Sequence, residues 1–390
     1  MLETLLRFSL AQRWLIIGLV SAFAALGVYD AFKLPIDAVP DITNVQIQIN
    51  TEAPGYSPVE AEQRVSYIVE NAMAGLPRLD YTRSLSRYGL SQVTVVFEDG
   101  TDIYFARQLV AERIEKVKTA LPSGLSPEMG PISTGLGEIF MFTVDADPTA
   151  RRADGKPYDA YDLHDAMQWI VKPQLAQVRG VTEVNSIGGY ERQLVVAPQP
   201  SKLLAYGLNL DDLTHALEAN NANRGAGYIE QHGAQVLIRS PGQFTQVDDV
   251  KRVVIRRVDG APVTLGEVAD VNWGSALRTG AATMNGREVV LGTVFMLIGE
   301  NSREVAQAVG QKLSDIQRSL PAGIEVRAVY DRTRLVDKTL ETIQKNLIEG
   351  ALLVIVVLFV LLGNLRAALI TALVIPLAML ATVTGMVENQ

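Results

Sequence analysis

The sequence predicts an α+β membrane protein, with transmembrane helices at the two ends of the chain and two βαββαβ units, the second interrupted by an insertion, between them. Three observations carry that expectation. Apolar runs stand at Trp14–Phe32, Gly350–Leu362 and Ala367–Val387, and a helix of about 20 apolar residues spans a ~30 Å hydrocarbon core. The chain is 48% hydrophobic with a mean hydropathy of +0.15, and this apolar excess is gathered at the ends. The middle runs strand, helix, strand, strand, helix, and then starts the same order again.

Taken in order, Trp14–Phe32 reads as the first membrane helix, apolar except for Asp30 near its outer end. Arg7 and Arg13 precede it, which places the N-terminus in the cytoplasm. A secretory signal is the competing reading, but the run is long for one and no small-residue cleavage site follows. Leu34–Asp41, with Pro35 and Pro40, is a stiff exit onto the outer face. At the far end, the two apolar runs are joined only by Gly363-Asn364-Leu365-Arg366, which demands a tight helical hairpin, and Arg366 argues that its turn faces the cytoplasm. The first of these runs extends back into a helix beginning near Asp331. Asp30 and Glu349 are the ionisable residues of the membrane runs, both expected near the outer boundary within reach of water. The chain stops at Glu388-Asn389-Gln390 as the third apolar segment ends, so it is expected to be a fragment of a longer polytopic protein.

In the outer region, Val45–Thr51 alternates with period two, as a half-buried strand does. Ser57-Pro58-Val59-Glu60 then forms a helix start, with serine as cap, proline at the first position and glutamate three residues on. That helix is predicted to reach Ala74. Strands follow at Tyr81–Arg87 and Gln92–Glu98, and Asp99-Gly100-Thr101-Asp102 turns the chain into a helix over Ile103–Leu121. This is most of a ferredoxin-like βαββαβ unit.

The order returns with a strand at Glu138–Ala146, a helix at Leu163–Val178 and a strand from Gly180, then far downstream a strand at Glu288–Leu297 and a helix at Ser302–Leu320. The second unit is therefore split by an insertion of about 188–275, a size normal for a small domain. The insertion shows strands at Gln193–Ala197, Gln235–Arg239, Arg252–Arg257 and Val268–Trp273, and a helix at Leu210–Ala219.

Composition narrows the chemistry. With 43 acidic and 35 basic residues and a net charge of -8, the chain does not look like a nucleic-acid binder. Zero cysteines excludes disulfides, thiolate metal sites and cysteine nucleophiles. There is no phosphate loop, no HExxH and no GxSxG. His164, His215 and His232 are scattered among polar neighbours and read as solvated surface residues. Glu98, Asp99 and Asp102 sit where a turn feeds a helix and read as capping residues. Met141, Met167, Met284 and Met296 read as core fillers. Glu138 differs, because it opens an apolar strand, Glu138-Ile139-Phe140-Met141-Phe142, behind the glycine-rich Ser133-Thr134-Gly135-Leu136-Gly137. A carboxylate there either caps the turn or points into a cleft as an oxygen ligand for a divalent cation.

Four motifs carry a resemblance over essentially all 390 residues. They are Ile36-Asp37-Ala38-Val39-Pro40-Asp41-Ile42-Thr43, the run from Val96-Phe97-Glu98-Asp99-Gly100 to Ala106-Arg107, the run Met296 to Val305 containing Gly299-Glu300-Asn301-Ser302, and Tyr330-Asp331-Arg332-Thr333. Through them the chain resembles the resistance-nodulation-division efflux pumps and, within these, the heavy-metal branch of the cobalt-zinc-cadmium type. The resemblance implies a secondary transporter rather than an enzyme: a homotrimeric pump of the bacterial inner membrane, driven by protons, working with a periplasmic adaptor and an outer-membrane channel. No permanently bound cofactor is implied, only the transported Zn, Co, Cd or Ni ion and protons. Glu138 is the candidate metal ligand, its site completed by acids from a missing second half. Copper and silver members tend to carry an aromatic residue there. Proton-relay residues are expected in the family's fourth helix, outside this sequence.

The implied organisation is a cytoplasmic N-terminus and first transmembrane helix (1–33), a first periplasmic porter subdomain (34–133), a second split over 134–187 and 276–330, an inserted docking subdomain (188–275), a second transmembrane helix (331–363) and a third (364–390). Alternatives are a copper, silver or multidrug pump of the same fold, or a membrane-anchored interaction or protein-export component.

Overall fold

The computed structural model describes residues 7–9, 11–33, 43–240, 242–258, 260–278, 280–363 and 365–388. The exit segment Leu34–Asp41 and nearly all of the Ile36–Thr43 motif lie outside them. Helix α1 (Arg13–Lys33) leads in, and the first unit begins at β1 (Gln46–Glu52), which alternates half-buried and buried residues as its period-two pattern requires. Helix α2 (Pro58–Ala61) starts on the expected capping box, in which the Ser57 and Glu60 side chains each accept from the other's backbone N–H. It passes through a π-helical turn, Glu62–Ser66, into α3 (Tyr67–Met73). Strands β2 (Leu79–Arg87) and β3 (Leu90–Phe97) form a hairpin, and Asp102 caps α4 (Ile103–Val117), its carboxylate accepting from Phe105 N at 2.7 Å. The short β4 (Pro127–Met129), which the sequence does not announce, closes a sheet of order β2-β3-β1-β4. Ile47, Ile49, Val95, Phe97, Met73 and Val110 fill its core.

The second unit takes the same path. It comprises β5 (Glu138–Ala146), α5 (Ala160–Ala166), a second π-helical turn at Met167–Val171, α6 (Lys172–Leu175) and β6 (Val181–Ile187). The helix thus starts three residues before the expected Leu163, because Asp159 and Asp162 form a capping box that the apolar pattern does not display.

The insertion follows, with β7 (Arg192–Pro198), α7 (Pro200–Tyr206), α8 (Leu210–Asn220), β8 (Arg224–Gln231), β9 (Ala234–Ser240), α9 (Val247–Lys251), β10 (Val254–Val258), β11 (Ala261–Thr264), α10 (Leu265–Val268) and β12 (Ala269–Ser275). Its outgoing and returning strands β7 and β12 pair antiparallel, and Leu203, Leu213, Val250, Leu265 and Val271 give it a core of its own. Among the described residues the β8–β9 hairpin pairs only with itself, and it exposes Tyr228, Ile229 and Val236.

Returning, β13 (Ala282–Met284), β14 (Arg287–Met296), α11 (Ser302–Ile316) and β15 (Ile324–Asp331) complete the second unit. The order β6-β14-β5-β15 repeats that of the first sheet. Phe140, Phe142, Met167, Val294, Val309 and Ile316 are fully or almost fully buried between this sheet and its helices. Phe142 lies against Gly292, where a Cβ would stand 2.2 Å from its ring. Burial of each such large side chain stabilises by roughly 1.5–3 kcal/mol.

Helix α12 (Arg332–Leu362) starts where β15 ends, with Asp331 as its cap, and ends on Gly363 in the left-handed region. Helix α13 (Leu365–Glu388) contains Pro376. By length and composition α1 and α12 can cross a membrane, whereas the apolar stretch described in α13, Pro376–Met386, is shorter. α1 packs on α13 at Gly27, where a Cβ would stand 2.8 Å from Leu380 Cβ. That close approach draws Asp30 and Thr384, one turn further along, down to 8% exposure each. Asp30 is thus enclosed between helices, contrary to the expectation that it reaches water. Glu349 stays exposed, 3.9 Å from Lys345.

Candidate functional site

Glu138 is half-buried at the first position of β5, paired in register with Phe295 of β14. The turn before it, Gly135–Gly137, is a single 3-10 turn closed by Gly137 N donating to the Thr134 carbonyl at 2.9 Å, with no side-chain cap. The turn is therefore closed by its own backbone. Gly137 is buried against Met296, whose carbonyl would lie 3.3 Å from a Cβ at 137. On the other flank, Arg332 Nη1 donates to the Leu136 carbonyl at 2.6 Å.

Among the described residues, no three His, Asp or Glu side chains stand close enough to hold a metal ion together. A cavity of about 430 Å3 opens beside the turn, between the first sheet and the 131–135 linker, with Gln46, Gln48, Arg83, Gln92, Thr94 and Phe295 in its walls. Its polar groups are amides, hydroxyls and one guanidinium, which suit a neutral or anionic guest better than a bare dication.

The remaining candidates fall mostly where their residue types direct. Asp102 caps, and Asp211 and Asp212 lie in the first turn of α8, with Asp212 in a capping box with Asn209. Met167 is fully buried in the second core, and Met284 Sδ accepts from Thr143 Oγ1 at 3.8 Å. His215 and His232 are exposed. His164 is not: its side chain is 16% exposed, and Nδ1 is buried without a hydrogen-bond partner, 4.0 Å from Asp165. Gly189 presses on it, a Cβ there reaching His164 Cβ at 2.8 Å, so a histidine with polar sequence neighbours is walled in by the start of the insertion.

Sequence reasoning missed the clamp where the insertion leaves and rejoins the second unit. The Arg278 guanidinium lies 4.8 Å over the Tyr190 ring, donates to its hydroxyl at 2.9 Å and pairs with Glu288. Arg192 lies 5.1 Å over Tyr161 and pairs with Asp162 and Asp165. Its members lie up to 127 residues apart, and no local pattern signals them.

Comparison with known proteins adds what geometry alone cannot. Residues 5–390 match the family described as AcrB/AcrD/AcrF. The chain is 59% identical to the cation efflux system protein CzcA of Alcaligenes sp. and 58% identical to the cobalt-zinc-cadmium resistance protein CzcA of Cupriavidus metallidurans, in each case over all of this chain and 37% of the relative. A crystal structure titled as a heavy metal efflux pump superposes with a TM-score of 0.89 at 31% identity, over 99% of this chain and 38% of that one. The chain thus spans a little over a third of the length of the relatives it matches.

Proposed function

We propose, from the premise that this chain belongs to the AcrB/AcrD/AcrF family, that it is part of a proton-driven pump exporting divalent Zn, Co, Cd or Ni ions from the bacterial inner membrane. The observation that carries this reading is the 58–59% identity, along the whole chain, to relatives named for cation and cobalt-zinc-cadmium resistance. The two βαββαβ units act as porter subdomains (34–133, and 134–187 with 276–330), moving by alternating access. The insertion (188–275) acts as the docking subdomain facing an outer-membrane channel, with a periplasmic adaptor completing the path. The first, second and third membrane helices, within 1–33, 331–363 and 364–390, sit in the bilayer, with the N-terminus in the cytoplasm.

Homotrimer formation is supported by the β8–β9 hairpin. Two strands alone are marginal in water, and this pair holds Tyr228, Ile229 and Val236 out for a neighbouring copy to cover. Glu138 supplies one oxygen ligand, on the ground that a half-buried carboxylate opens a mostly apolar, buried strand. Carboxylate oxygen suits these dications better than Cu⁺, which prefers sulfur, so the copper and silver alternative is disfavoured.

The test is metal accumulation in a pump-deficient Gram-negative host expressing the full-length protein, with and without Glu138→Gln. The protein lowers cellular zinc, cobalt or cadmium, and the variant loses that at equal expression. Lowering of copper alone would refute the metal class, and a variant indistinguishable from the parent would refute the ligand.

A further inference from the structure

The head of α12 meets the Gly135–Gly137 turn through Arg332 and Leu136, where β5 begins, and meets the head of α11 through Asp337 and Arg303. The β15–β5 register enforces this, pairing Tyr330 with Met141 and Asp331 with Phe140, so the chain enters α12 beside the start of β5. Phe295 pairs with Glu138 from the opposite side.

The first turn of α12 is seated in the second unit. Arg332 is 4% exposed, Thr333 6% and Val336 0%. A buried guanidinium must be hydrogen-bonded to be tolerated, and Arg332 meets part of that demand by donating to the Leu136 carbonyl at 2.6 Å. This acceptor is a backbone atom in the middle of the turn that presents Glu138. Within the turn, Gly137 is fixed by its own N–H and lies against Met296. One turn along α12, Asp337 pairs with Arg303 at 2.8 Å, fastening the same helix to the head of α11. Asp331 in turn accepts from Thr333 N at 2.9 Å and from the Thr333 hydroxyl, so the cap that starts α12 is itself anchored.

We propose that Arg332 is a positioning residue: from the first turn of the membrane-directed helix it holds the turn that aims Glu138, coupling metal ligation to the placement of α12. This rests on the function proposed above. A displacement of α12 that carries Arg332 away withdraws a charged donor from the Leu136 carbonyl, and the turn that leads into Glu138 then loses that hold while β14 keeps the strand itself. Loss of a hydrogen bond to a charged group is large enough to shift an affinity about tenfold.

The experiment is a zinc titration of the full-length protein in nanodiscs for the wild type, Glu138→Gln, Arg332→Gln and the double variant, with Arg332→Lys as the conservative replacement. Arg332→Gln weakens zinc binding about tenfold, the double variant binds no more weakly than Glu138→Gln alone, and Arg332→Lys restores part of the loss by keeping a donor. Independent, additive losses, or an Arg332→Gln titration that overlays the wild type, overturn the proposal. Amide exchange read on the same samples separates this outcome from failure of the function itself. If the wild type binds no zinc, the proposed function falls. Arg332→Gln must then still accelerate exchange selectively at 135–138 to uphold its hold on the turn, and unchanged exchange there overturns it.

Discussion

Between β2 and β3 the first unit turns in two residues, Tyr88 and Gly89, whereas between β6 and β14 the second unit makes room for residues 188–286. The strand order is the same in both, and so is a π-helical turn in the first helix of each. The contrast lies in what holds the middle hairpin. In the first unit Gly89, at φ +70, leaves room for a Cβ, which would stand at ordinary contact distance, 3.8 Å, from its nearest neighbour. In the second, Gly188 and Gly189 lie at φ +97 and +72, with atoms 2.6–2.9 Å from where their Cβ atoms would be, and the Tyr190–Arg278 and Tyr161–Arg192 pairs close over the junction. A βαββαβ unit accepts an insertion at this hairpin because both strand ends emerge together, but an insertion held at one angle needs close packing at its root.

The cores differ as well. Ser66 and Val171 each close a π-helical turn and each is fully buried. Val171 joins an apolar core. Ser66 instead shares hydrogen bonds of 2.7 Å with Ser86 and Ser91, which sit on β2 and β3. The first unit therefore joins helix to hairpin through a buried serine cluster, while the second does so through a part-buried bond from Gln168 to Ser186 beside its apolar core.

Four substitutions would break or sharpen this contrast, each read by amide exchange on the full chain, which reports local stability unit by unit. The largest effect is expected from Phe142→Ala, about 3–5 kcal/mol, with lost protection confined to the second unit. Equal loss across β1–β3 would mean that the units unfold as one and that the contrast is void. Gly189→Ala is expected to cost about 2–4 kcal/mol, from overlap with His164 and Ala160 added to left-handed strain, against about 1–2 kcal/mol of strain alone for Gly89→Ala. Similar costs at the two sites would show that the junction is no tighter than a plain hairpin. Ser66→Ala is expected to cost about 1 kcal/mol and to expose β2 and β3 before the rest of the first sheet. A neutral outcome would remove the serines from any role in joining helix to hairpin.

Much of the fold is legible in the amino-acid sequence itself. Glu138–Ala146 begins and ends where its apolar run does, and the caps at Ser57 and Asp102 follow from residue type alone. β4 escapes because three residues that include a proline carry no period, and β8 because Gly225 and Gly227 break its alternation. The expected strand at Arg252–Arg257 starts late, at Val254, since the five-residue α9 before it is too short to display a helical period. The place of Glu138 at a strand mouth is readable in the same way. Arg332 is visible as part of Tyr330-Asp331-Arg332-Thr333, but its hydrogen bond spans 196 residues and arises only from the register of β15 on β5.

The 31 residues of α12 form one helix from the second unit to Gly363, a rod of roughly 46 Å at 1.5 Å per residue. Arg332 sits at its very tip. Geometry makes that tip a lever arm: a tilt of little more than ~1° about the far end sweeps it by roughly 1 Å, enough to stretch a hydrogen bond beyond its useful range. An angular change too small to disturb the packing of helices along the rod is thus magnified where the rod meets the second unit.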